Sequence, residues 1–253
     1  MDEKLETLGS SLEGEFYTDK TMRTLYATDA SAYREMPLAV AVPKTLDDLK
    51  TLIAFARKEK TSLIPRTAGT SLAGQVVGDG IVVDVSRNFT KIIELNVEER
   101  WVRVQPGVVR DELNLFLKPH GLLFGPETST ANRAMIGGMV GNNSCGSNSI
   151  IYRSTREHLL EVKALLSDGT EAVFGPLTTD QFHAKCEGST LESSLYKNIR
   201  KQLSNYDNQL AIRENFPKPS IERRNTGYAL DLMLETAPFV AGSPDFKDRK
   251  SVV

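Results

Sequence analysis

The pattern of apolar residues predicts alternating strands and helices in the first quarter of the chain. Apolar residues three or four positions apart predict a helical lead-in over residues 1–25. An apolar run predicts a strand at 38–43. The amphipathic pattern that follows predicts a helix up to residue 60, with Thr45 as its N-cap, and a second apolar run predicts a strand at 62–65. Strand, helix and strand in this order are typical of a parallel α/β unit.

After residue 80 the apolar runs become shorter and lie closer together. Three short strands are predicted at 81–86, 90–96 and 101–107. A helix is predicted over 108–121, where Gly121 is suited to end it. Two apolar runs around a Ser-Asp-Gly-Thr turn predict a hairpin over 159–175, and helical spacing returns over 191–206.

Two long stretches of small and polar residues interrupt this pattern, and the first of them is residues 65–80, with the sequence PRTAGTSLAGQVVGDG. Its glycines allow backbone N–H groups to turn inward together, and Thr67, Thr70 and Ser71 add hydroxyl donors. Arg66 adds a fixed positive charge. These features suit a phosphate or pyrophosphate, although the Walker and dinucleotide-binding fingerprints are both missing. An ordinary glycine-rich surface loop is an equally open alternative.

The second stretch, residues 122–155, has the same character as the first. Its threonine, serine and asparagine side chains offer hydrogen bonds, and Met135, Ile136 and Met139 offer apolar, polarisable surface. A flat ring with hydrogen-bonding edges fits this composition, while a pyrophosphate fits the first stretch. The pair therefore favours a flavin dinucleotide, with two unrelated flexible loops as the alternative.

Composition and charge exclude several classes of protein. The net charge is −2 with mixed signs, so no basic surface for nucleic acid is expected. The apolar runs are shorter than the ~20 residues of a membrane span, and the acidic N-terminus lacks the apolar segment of a signal peptide. Cys145 and Cys186 have neither metal nor redox spacing, which predicts reduced thiols and a cytoplasmic location. The scattered His120, His158 and His183 do not favour a zinc site or a catalytic triad.

Four motifs in a fixed order carry a family resemblance that extends over residues 20–243. They are PRTAGTSLAGQ, VRVQPGV, the long segment that begins GPETSTANRAMIGGMVGNNSCGSNS, and RRNTGYAL at 223–230. In this order they resemble the FAD-binding domain of the p-cresol methylhydroxylase/vanillyl-alcohol oxidase (PCMH-type) flavoproteins. Within that superfamily the chain is most similar to the branch of D-lactate dehydrogenase, glycolate oxidase and D-2-hydroxyglutarate dehydrogenase.

The resemblance implies an α+β fold with two subdomains: a small parallel α/β unit, and a larger, mainly antiparallel sheet with helices. The expected organisation is a helical lead-in at 1–33, a PCMH-type FAD-binding domain at 34–243 and an irregular tail at 244–253. The branch normally continues into a substrate-capping domain, which is not recognisable in this sequence. We therefore expect the chain to be a fragment of a larger enzyme.

The resemblance also assigns FAD contacts by motif. The pyrophosphate is expected to be wrapped by Arg66, Ala68, Gly69, Thr70, Ser71, Leu72, Ala73 and Gly74. The ribityl and phosphate region is expected to lie near Pro126, Glu127 and Thr128. The flavin is expected to be lined by Ile136, Gly137, Gly138, Asn142, Gly146 and Ser147. Asn225 to Tyr228 are weaker candidates for a FAD contact. Some members of the family attach the flavin covalently through a histidine near the first glycine-rich stretch. Because no histidine lies before His120 in this sequence, FAD is expected to be non-covalent.

The implied reaction is the oxidation of a D-2-hydroxy acid, of the lactate, glycolate or 2-hydroxyglutarate type, to the 2-oxo acid. Electrons would pass to a quinone, a cytochrome, an iron–sulfur protein or domain, or oxygen, and the acceptor could hold the protein peripherally at the inner membrane. No catalytic base and no metal site are predicted. Arg223 and Arg224 could bind a substrate carboxylate or simply be solvated. The alternatives are an FAD-binding module without turnover and, less favoured, a UDP-sugar reductase on a related fold.

Overall fold

The computed structural model describes residues 2–218, 220–221 and 227–247. The chain separates into two compact units, residues 1–146 and residues 147–253. Helices, a parallel sheet and antiparallel strand pairs all occur, which agrees with the α+β class expected from the sequence.

The first half of the first unit is an α/β structure around one small sheet. Its elements are α1 (Asp2–Ser10), β1 (Glu15–Tyr17), α2 (Lys20–Leu25), β2 (Ala39–Val42), α3 (Leu46–Glu59), β3 (Leu63–Arg66) and β4 (Ile81–Asp84). The strand order is β1-β2-β4-β3, in which β2, β4 and β3 are parallel and β1 is antiparallel. The predicted strand–helix–strand unit is present, with β4 inserted between its two strands. All four residues of β2 and Leu52 of α3 are fully buried, so the core of this region lies between the sheet and its helices.

The spacing of apolar residues predicted a helical lead-in over residues 1–25, but the structure divides this segment into helix α1, strand β1 and helix α2. Helix α1 ends at Ser10, and Phe16 lies on β1, where it pairs with Ala41 of β2. Gly14 permits this close pairing, because a Cβ at that position would lie 2.3 Å from the carbonyl oxygen of Val42. Phe16 and the buried Leu8 of α1 pack into the same core. The helical spacing therefore came from a shared core and not from a continuous helix.

The carboxylate of Asp48 ties the start of α3 to the chain segment before β1. Its oxygens accept backbone N–H bonds from Glu13 at 2.8 Å, Gly14 at 3.1 Å, Lys44 at 2.8 Å and Thr45 at 3.3 Å. The Thr45 hydroxyl accepts in return from the Asp48 N–H, which completes a capping box. Burial alone would raise the pKa of Asp48, but these N–H donors favour the carboxylate more strongly and lower its pKa.

Replacing Asp48 with alanine is expected to lower the free energy of unfolding by about 2 kcal/mol, because several partly buried N–H groups lose their acceptor. The folded pKa of Asp48 lies below the unfolded one, so its stabilisation is present above about pH 4 and is lost as pH falls through the folded pKa. Urea unfolding between pH 3 and pH 7 measures both effects. The exposed Asp47 in the same helical turn provides the control, since Asp47→Ala should cost much less. Equal losses in the two variants would contradict the assigned role of Asp48.

The rest of the first unit is an antiparallel hairpin covered by a helix, followed by the second glycine-rich stretch. The elements are β5 (Ile92–Asn96), β6 (Trp101–Val104), α4 (Arg110–Leu117) and α5 (Ile136–Asn142). Leu113 and Leu117 of α4 are buried against apolar residues of the hairpin. The helix continues as a 3₁₀ turn and ends at Gly121, which has a φ of +68° and so confirms the predicted stop.

The second unit combines short antiparallel strands with helices. Its elements are α6 (Ser149–Tyr152), β7 (Val162–Leu165), β8 (Glu171–Phe174), β9 (Pro176–Leu177), α7 (Thr179–Lys185), α8 (Leu191–Leu203), α9 (Tyr206–Asn215), α10 (Leu230–Leu234) and β10 (Phe246–Lys247). The predicted hairpin is confirmed as the β7–β8 pair. In the described residues the antiparallel strands β5–β6, β7–β8 and β9–β10 are three separate pairs and not one continuous sheet.

The start of the expected irregular tail is ordered. Phe246 and Lys247 pair with β9, and the Phe246 side chain is fully buried. Its ring centroid lies 4.7 Å from that of Phe182, inside an aromatic cluster that also contains Tyr196 and Phe239. One aromatic residue in a charged segment produces no periodic pattern, which is why the sequence did not reveal this strand. Residues 248–253 lie outside the described part.

Candidate functional site

The segment 67–80, which joins the parallel neighbours β3 and β4, has no regular secondary structure. Two of its glycines adopt the left-handed conformation, Gly69 with a φ of +67° and Gly74 with a φ of +69°. Residues with side chains rarely adopt this conformation. The path of the backbone through residues 67–74, called the cradle loop below, therefore depends on both glycines.

The cradle loop presents a row of unpaired backbone donors. In the part of the chain that the structure describes, no hydrogen bond is donated by the backbone N–H groups of Ala68, Gly69, Thr70, Ser71, Leu72 and Gly74. The neighbouring N–H groups of Ala73 and Gln75 are paired, since both donate to the Ser71 hydroxyl at 3.2 Å. Consecutive free N–H groups in a glycine-rich loop are a common means of binding phosphate oxygens.

Arg66, the last residue of β3, lies directly against the cradle loop. Its Nη1 donates to the carbonyl of Thr28 at 2.8 Å and approaches the carbonyl of Tyr26 at 3.4 Å, and its Cζ lies 5.2 Å from the centroid of the Tyr26 ring. A Cβ at Gly69 would lie 2.5 Å from Arg66 Nη2. The guanidinium therefore fills the place that a side chain at Gly69 would need.

A buried carboxylate supports this arrangement. The Tyr26 hydroxyl donates to Oδ2 of Asp84 at 2.5 Å, and Asp84, on β4, is only 4% exposed. Burial and then the hydrogen bond to Asp84 raise the pKa of Tyr26 to about 12, so its hydroxyl remains a neutral donor at physiological pH. Sequence reasoning missed Tyr26, Thr28 and Asp84. A charged residue within the apolar run IVVDVS was the available signal for Asp84.

Part of the second glycine-rich stretch is a helix, where the sequence had indicated only small and polar residues of a loop. A Cβ at Gly137 of α5 would lie 2.4 Å from Cβ of Pro106, and a Cβ at Gly138 would lie 2.6 Å from Oγ1 of Thr67. The glycines let α5 approach both neighbours closely. Because glycine usually weakens helices, the composition favoured a loop, but tertiary packing overrides that preference here.

Helix α5 brings the two glycine-rich stretches side by side. Its N-terminal half contacts Thr67, and Oδ1 of Asn142 at its last turn accepts from Nε2 of Gln75 at 3.2 Å. Nδ2 of Asn142 also donates to the Ser144 hydroxyl at 3.1 Å. Gly138 and Asn142, two of the predicted flavin-lining residues, are therefore neighbours of the predicted pyrophosphate loop.

Residues 126–128 meet residue 146 through an unusually close backbone approach. A Cβ at Gly146 would lie 1.2 Å from the carbonyl oxygen of Glu127. Nε of Arg110, a residue that is 8% exposed, holds the same segment by donating to the carbonyl of Pro126 at 3.0 Å. The hydroxyls of Thr128 and Thr130 lie 3.4 Å apart. Sequence reasoning did not single out Arg110, since an arginine in a helix is usually solvent-facing.

The other predicted residues are more scattered. Leu72 is 80% exposed, Ile136 is half-buried, and the exposed Ser147 is the first residue of the second unit. Of the NTGY segment, Gly227 and Tyr228 are exposed, whereas the weaker candidates Asn225 and Thr226 lie outside the described residues. Arg223 and Arg224 also lie outside them. Within the described ranges, no group of three or more His, Cys, Asp or Glu side chains could hold a metal ion.

A sequence profile for a family described as an FAD binding domain matches residues 37–175. This range is more than half of the chain and contains both glycine-rich stretches. The chain belongs to the FAD-binding domain family. The resemblance to an FAD-binding domain is thereby confirmed over the first three motifs, while the fourth, at 223–230, lies beyond the matched range.

Curated relatives extend the match along the chain. A D-2-hydroxyglutarate dehydrogenase of Pseudomonas putida is 41% identical over 232 residues, which cover 90% of this chain and 23% of that protein. A mitochondrial cytochrome-linked D-lactate dehydrogenase of Kluyveromyces lactis is 33% identical over 151 residues, which cover 58% of this chain and 26% of that protein. The chain thus spans about a quarter of the length of these relatives.

Solved structures agree at the level of the fold. An alkyldihydroxyacetonephosphate synthase superposes with a TM-score of 0.60 at 18% identity, covering 68% of this chain and 35% of that one. The Physcomitrella patens protein BBE-like 1, as its D396N variant, gives a TM-score of 0.59 at 18% identity, with 68% of this chain and 37% of that one covered. The expected α+β fold class is confirmed by these neighbours.

The residues present fit the cofactor that defines the family. The unpaired N–H groups of the cradle loop suit the two negative charges of a pyrophosphate, and Gly69 and Gly74 leave room for close backbone approach. Asn142 supplies an amide group beside the loop, and the segment 126–128 supplies hydroxyl and carbonyl groups. Such groups suit a sugar-alcohol chain or a flavin edge.

Among the described helices, none combines the length and the hydrophobicity that crossing a membrane requires.

Proposed function

We propose that this chain is the FAD-binding part of a flavin-dependent dehydrogenase that oxidises a D-2-hydroxy acid to the 2-oxo acid. The proposal is carried by 41% identity, across 90% of the chain, to a protein named D-2-hydroxyglutarate dehydrogenase. Other relatives are named for D-lactate and glycolate, which are the other candidate substrates and are also 2-hydroxy acids. D-2-hydroxyglutarate is therefore the first substrate to test.

In the proposed binding mode, the cradle loop holds the pyrophosphate through backbone N–H groups. The residues assigned to the pyrophosphate region are Arg66, Ala68, Gly69, Thr70, Ser71, Leu72, Ala73 and Gly74. Pro126, Glu127 and Thr128 lie near the ribityl chain, and the flavin is lined by Ile136, Gly137, Gly138, Asn142, Gly146 and Ser147. The assigned domain is residues 34–243, after a lead-in at 1–33. The proximity of Gly138 to Thr67 and of Asn142 to Gln75 supports a site formed by the first glycine-rich stretch and helix α5.

Bound FAD would supply the redox chemistry by accepting a hydride from the substrate carbon. The residues of this chain bind the cofactor, orient it and exclude water from its pyrophosphate. We propose non-covalent attachment, because residues 1–119 contain no histidine. Acid precipitation of the yellow protein should then leave all flavin in the supernatant, whereas flavin in the pellet would overturn this point.

The electron acceptor is proposed to be a quinone, a cytochrome or an iron–sulfur protein or domain. The name of the Kluyveromyces lactis relative, which specifies a cytochrome, supports an acceptor of this kind. A cytoplasmic protein held at the inner membrane through its acceptor is consistent with the proposal. Membrane fractionation with and without the acceptor would measure this association directly.

A second candidate function is an FAD-binding module that performs no turnover by itself. The observation that favours it is that the residues assigned in this chain all serve the cofactor, and none is assigned as a catalytic base. Such a module would bind FAD through the same residues and require a further domain or a separate protein to place the substrate over the flavin.

The visible spectrum separates the two functions. The purified chain is reconstituted with FAD and then mixed anaerobically with D-2-hydroxyglutarate, with the L-enantiomer as control. Bleaching by the D-acid alone supports the dehydrogenase, and a yellow protein that never bleaches supports the module. A protein that stays colourless after reconstitution would overturn both.

A further inference from the structure

We propose that Tyr26, Asp84 and Arg66 form a positioning network that sets the backbone of the cradle loop, and that Arg66 acts through this backbone and not as a phosphate ligand. The inference rests on the proposed FAD site and deepens it. It assigns a role to the segment 25–37, which belongs to none of the family motifs.

The network begins at the buried carboxylate of Asp84 on β4, the strand that pairs in parallel with β3. Asp84 is 4% exposed and is the register partner of Arg66 on the neighbouring strand. Its Oδ1 accepts from the N–H of Ser86 at 2.8 Å, and its Oδ2 accepts from the hydroxyl of Tyr26 at 2.5 Å. Charge-assisted hydrogen bonds in a buried setting hold their partners strongly. Asp84 therefore fixes the position of the Tyr26 ring.

The Tyr26 ring in turn fixes the guanidinium of Arg66. The ring centroid lies 5.2 Å from Cζ, and the Thr28 carbonyl accepts from Nη1 at 2.8 Å. A planar guanidinium can make a ring contact and a directed hydrogen bond at the same time, which the ammonium of lysine cannot reproduce. Nη1 is therefore engaged by backbone carbonyls within the protein, on the side of the segment 25–37.

The guanidinium of Arg66 in turn holds the cradle loop in position at Gly69. Its Nη2, Cζ and Nε lie 2.5, 2.8 and 2.9 Å from the position of a Cβ at Gly69, so the loop turns directly over it. The N–H of Ala30 adds a second tie by donating to the carbonyl of Gly69 at 3.2 Å. These two contacts hold Gly69, which is the second residue in the row of unpaired N–H groups. Binding by a backbone array depends on such preorganisation, because disordered donors must be fixed when the ligand arrives.

The test uses variants that remove single groups from the full chain. Tyr26→Phe, Asp84→Asn and Arg66→Lys are each expected to raise the Kd for FAD about tenfold, measured by quenching of flavin fluorescence. Tyr26→Phe combined with Arg66→Lys is expected to be no worse than either single variant, because both act on one unit. Arg66→Gln, which removes the positive charge, should keep the wild-type slope of log Kd against log salt, because Arg66 is not a phosphate ligand. Tyr17→Phe is the matched control, since its exposed hydroxyl bonds to Glu15 far along the chain from the loop.

Two results would overturn the network while leaving the FAD site intact. Wild-type affinity in Tyr26→Phe is one, and additive losses in the double variant together with a reduced salt slope in Arg66→Gln are the other, because that pattern identifies a direct phosphate ligand. If the variants at buried positions do not fold, Arg66→Lys alone decides, and near-wild-type affinity would contradict the proposal. A wild-type chain that fails to bind FAD would instead refute the proposed function itself.

Discussion

Replacing Gly69 with valine is expected to raise the Kd for FAD at least a hundredfold, which corresponds to about 2.7 kcal/mol. Two physical causes act together. The φ of +67° is strongly unfavourable for a β-branched residue, and the new Cβ would lie 2.5 Å from the guanidinium of Arg66. The loop must shift to relieve both, which displaces the row of N–H groups from the pyrophosphate. Titration of the purified variant with FAD, followed by flavin fluorescence, measures the loss.

Gly121 provides a control with the same backbone strain and no link to the site. Its φ is +68°, and no atom lies within 4 Å of the position of a Cβ there among the described residues. Gly121→Val should therefore lower stability by about 1–2 kcal/mol, the usual cost of left-handed strain, and leave FAD affinity unchanged. Tight FAD binding by Gly69→Val would remove the cradle assignment. An equal loss of affinity in both variants would show that strain alone is responsible.

Replacing Gly146 with alanine is expected to cost about 3 kcal/mol of folding free energy or more, and FAD binding with it. The added methyl group would stand 1.2 Å from the carbonyl oxygen of Glu127, so the two backbone segments must separate. Separation moves Pro126 and Thr128 away from the predicted ribityl region. Urea unfolding followed by circular dichroism, together with FAD titration below the unfolding transition, measures both effects.

Gly175 gives the matched comparison for this substitution. A Cβ there would meet its nearest atoms at 3.6 to 3.9 Å, which is ordinary van der Waals contact. Gly175→Ala should therefore change stability by less than about 0.5 kcal/mol. If Gly146→Ala behaves like Gly175→Ala, the close approach of residue 146 to Glu127 does not hold in solution.

Local patterns predicted the regular elements well. The hairpin at β7–β8 followed from two apolar runs around a turn, and the end of α4 followed from Gly121. The cap of α3 by Thr45 was also predicted, because the signal lies within four residues. In each case the information is local, so propensity and spacing suffice.

The misses share a physical cause, which is that distant contacts decided the local structure. Phe16 joined a strand because Gly14 lets the chain approach Val42, and α5 is helical because two glycines fit against Pro106 and Thr67. The strand at Phe246 exists because an aromatic cluster buries that ring. None of these partners can be found from residues adjacent in sequence.

For the candidate site, the motifs located the loops but not their supports. Gly69 and Gly74 were assigned from sequence, and the structure gives both of them left-handed backbone. Arg110, Tyr26 and Asp84 were not assigned, since each acts through a contact with a residue at least 16 positions away. The part of the site made by backbone atoms is thus visible in the glycine pattern, whereas the side chains that support it become visible only in three dimensions.

The most direct test of the FAD site compares FAD with riboflavin, which has the same ring system but neither the pyrophosphate nor the adenosine, in calorimetric titrations of the purified chain. Because the cradle loop offers its backbone donors to the pyrophosphate, FAD should bind in a one-to-one complex at least a hundredfold more tightly than riboflavin, a difference of about 2.7 kcal/mol. Equal affinity for the two flavins, or no binding of FAD, would contradict the assignment of residues 67–74 as the pyrophosphate site.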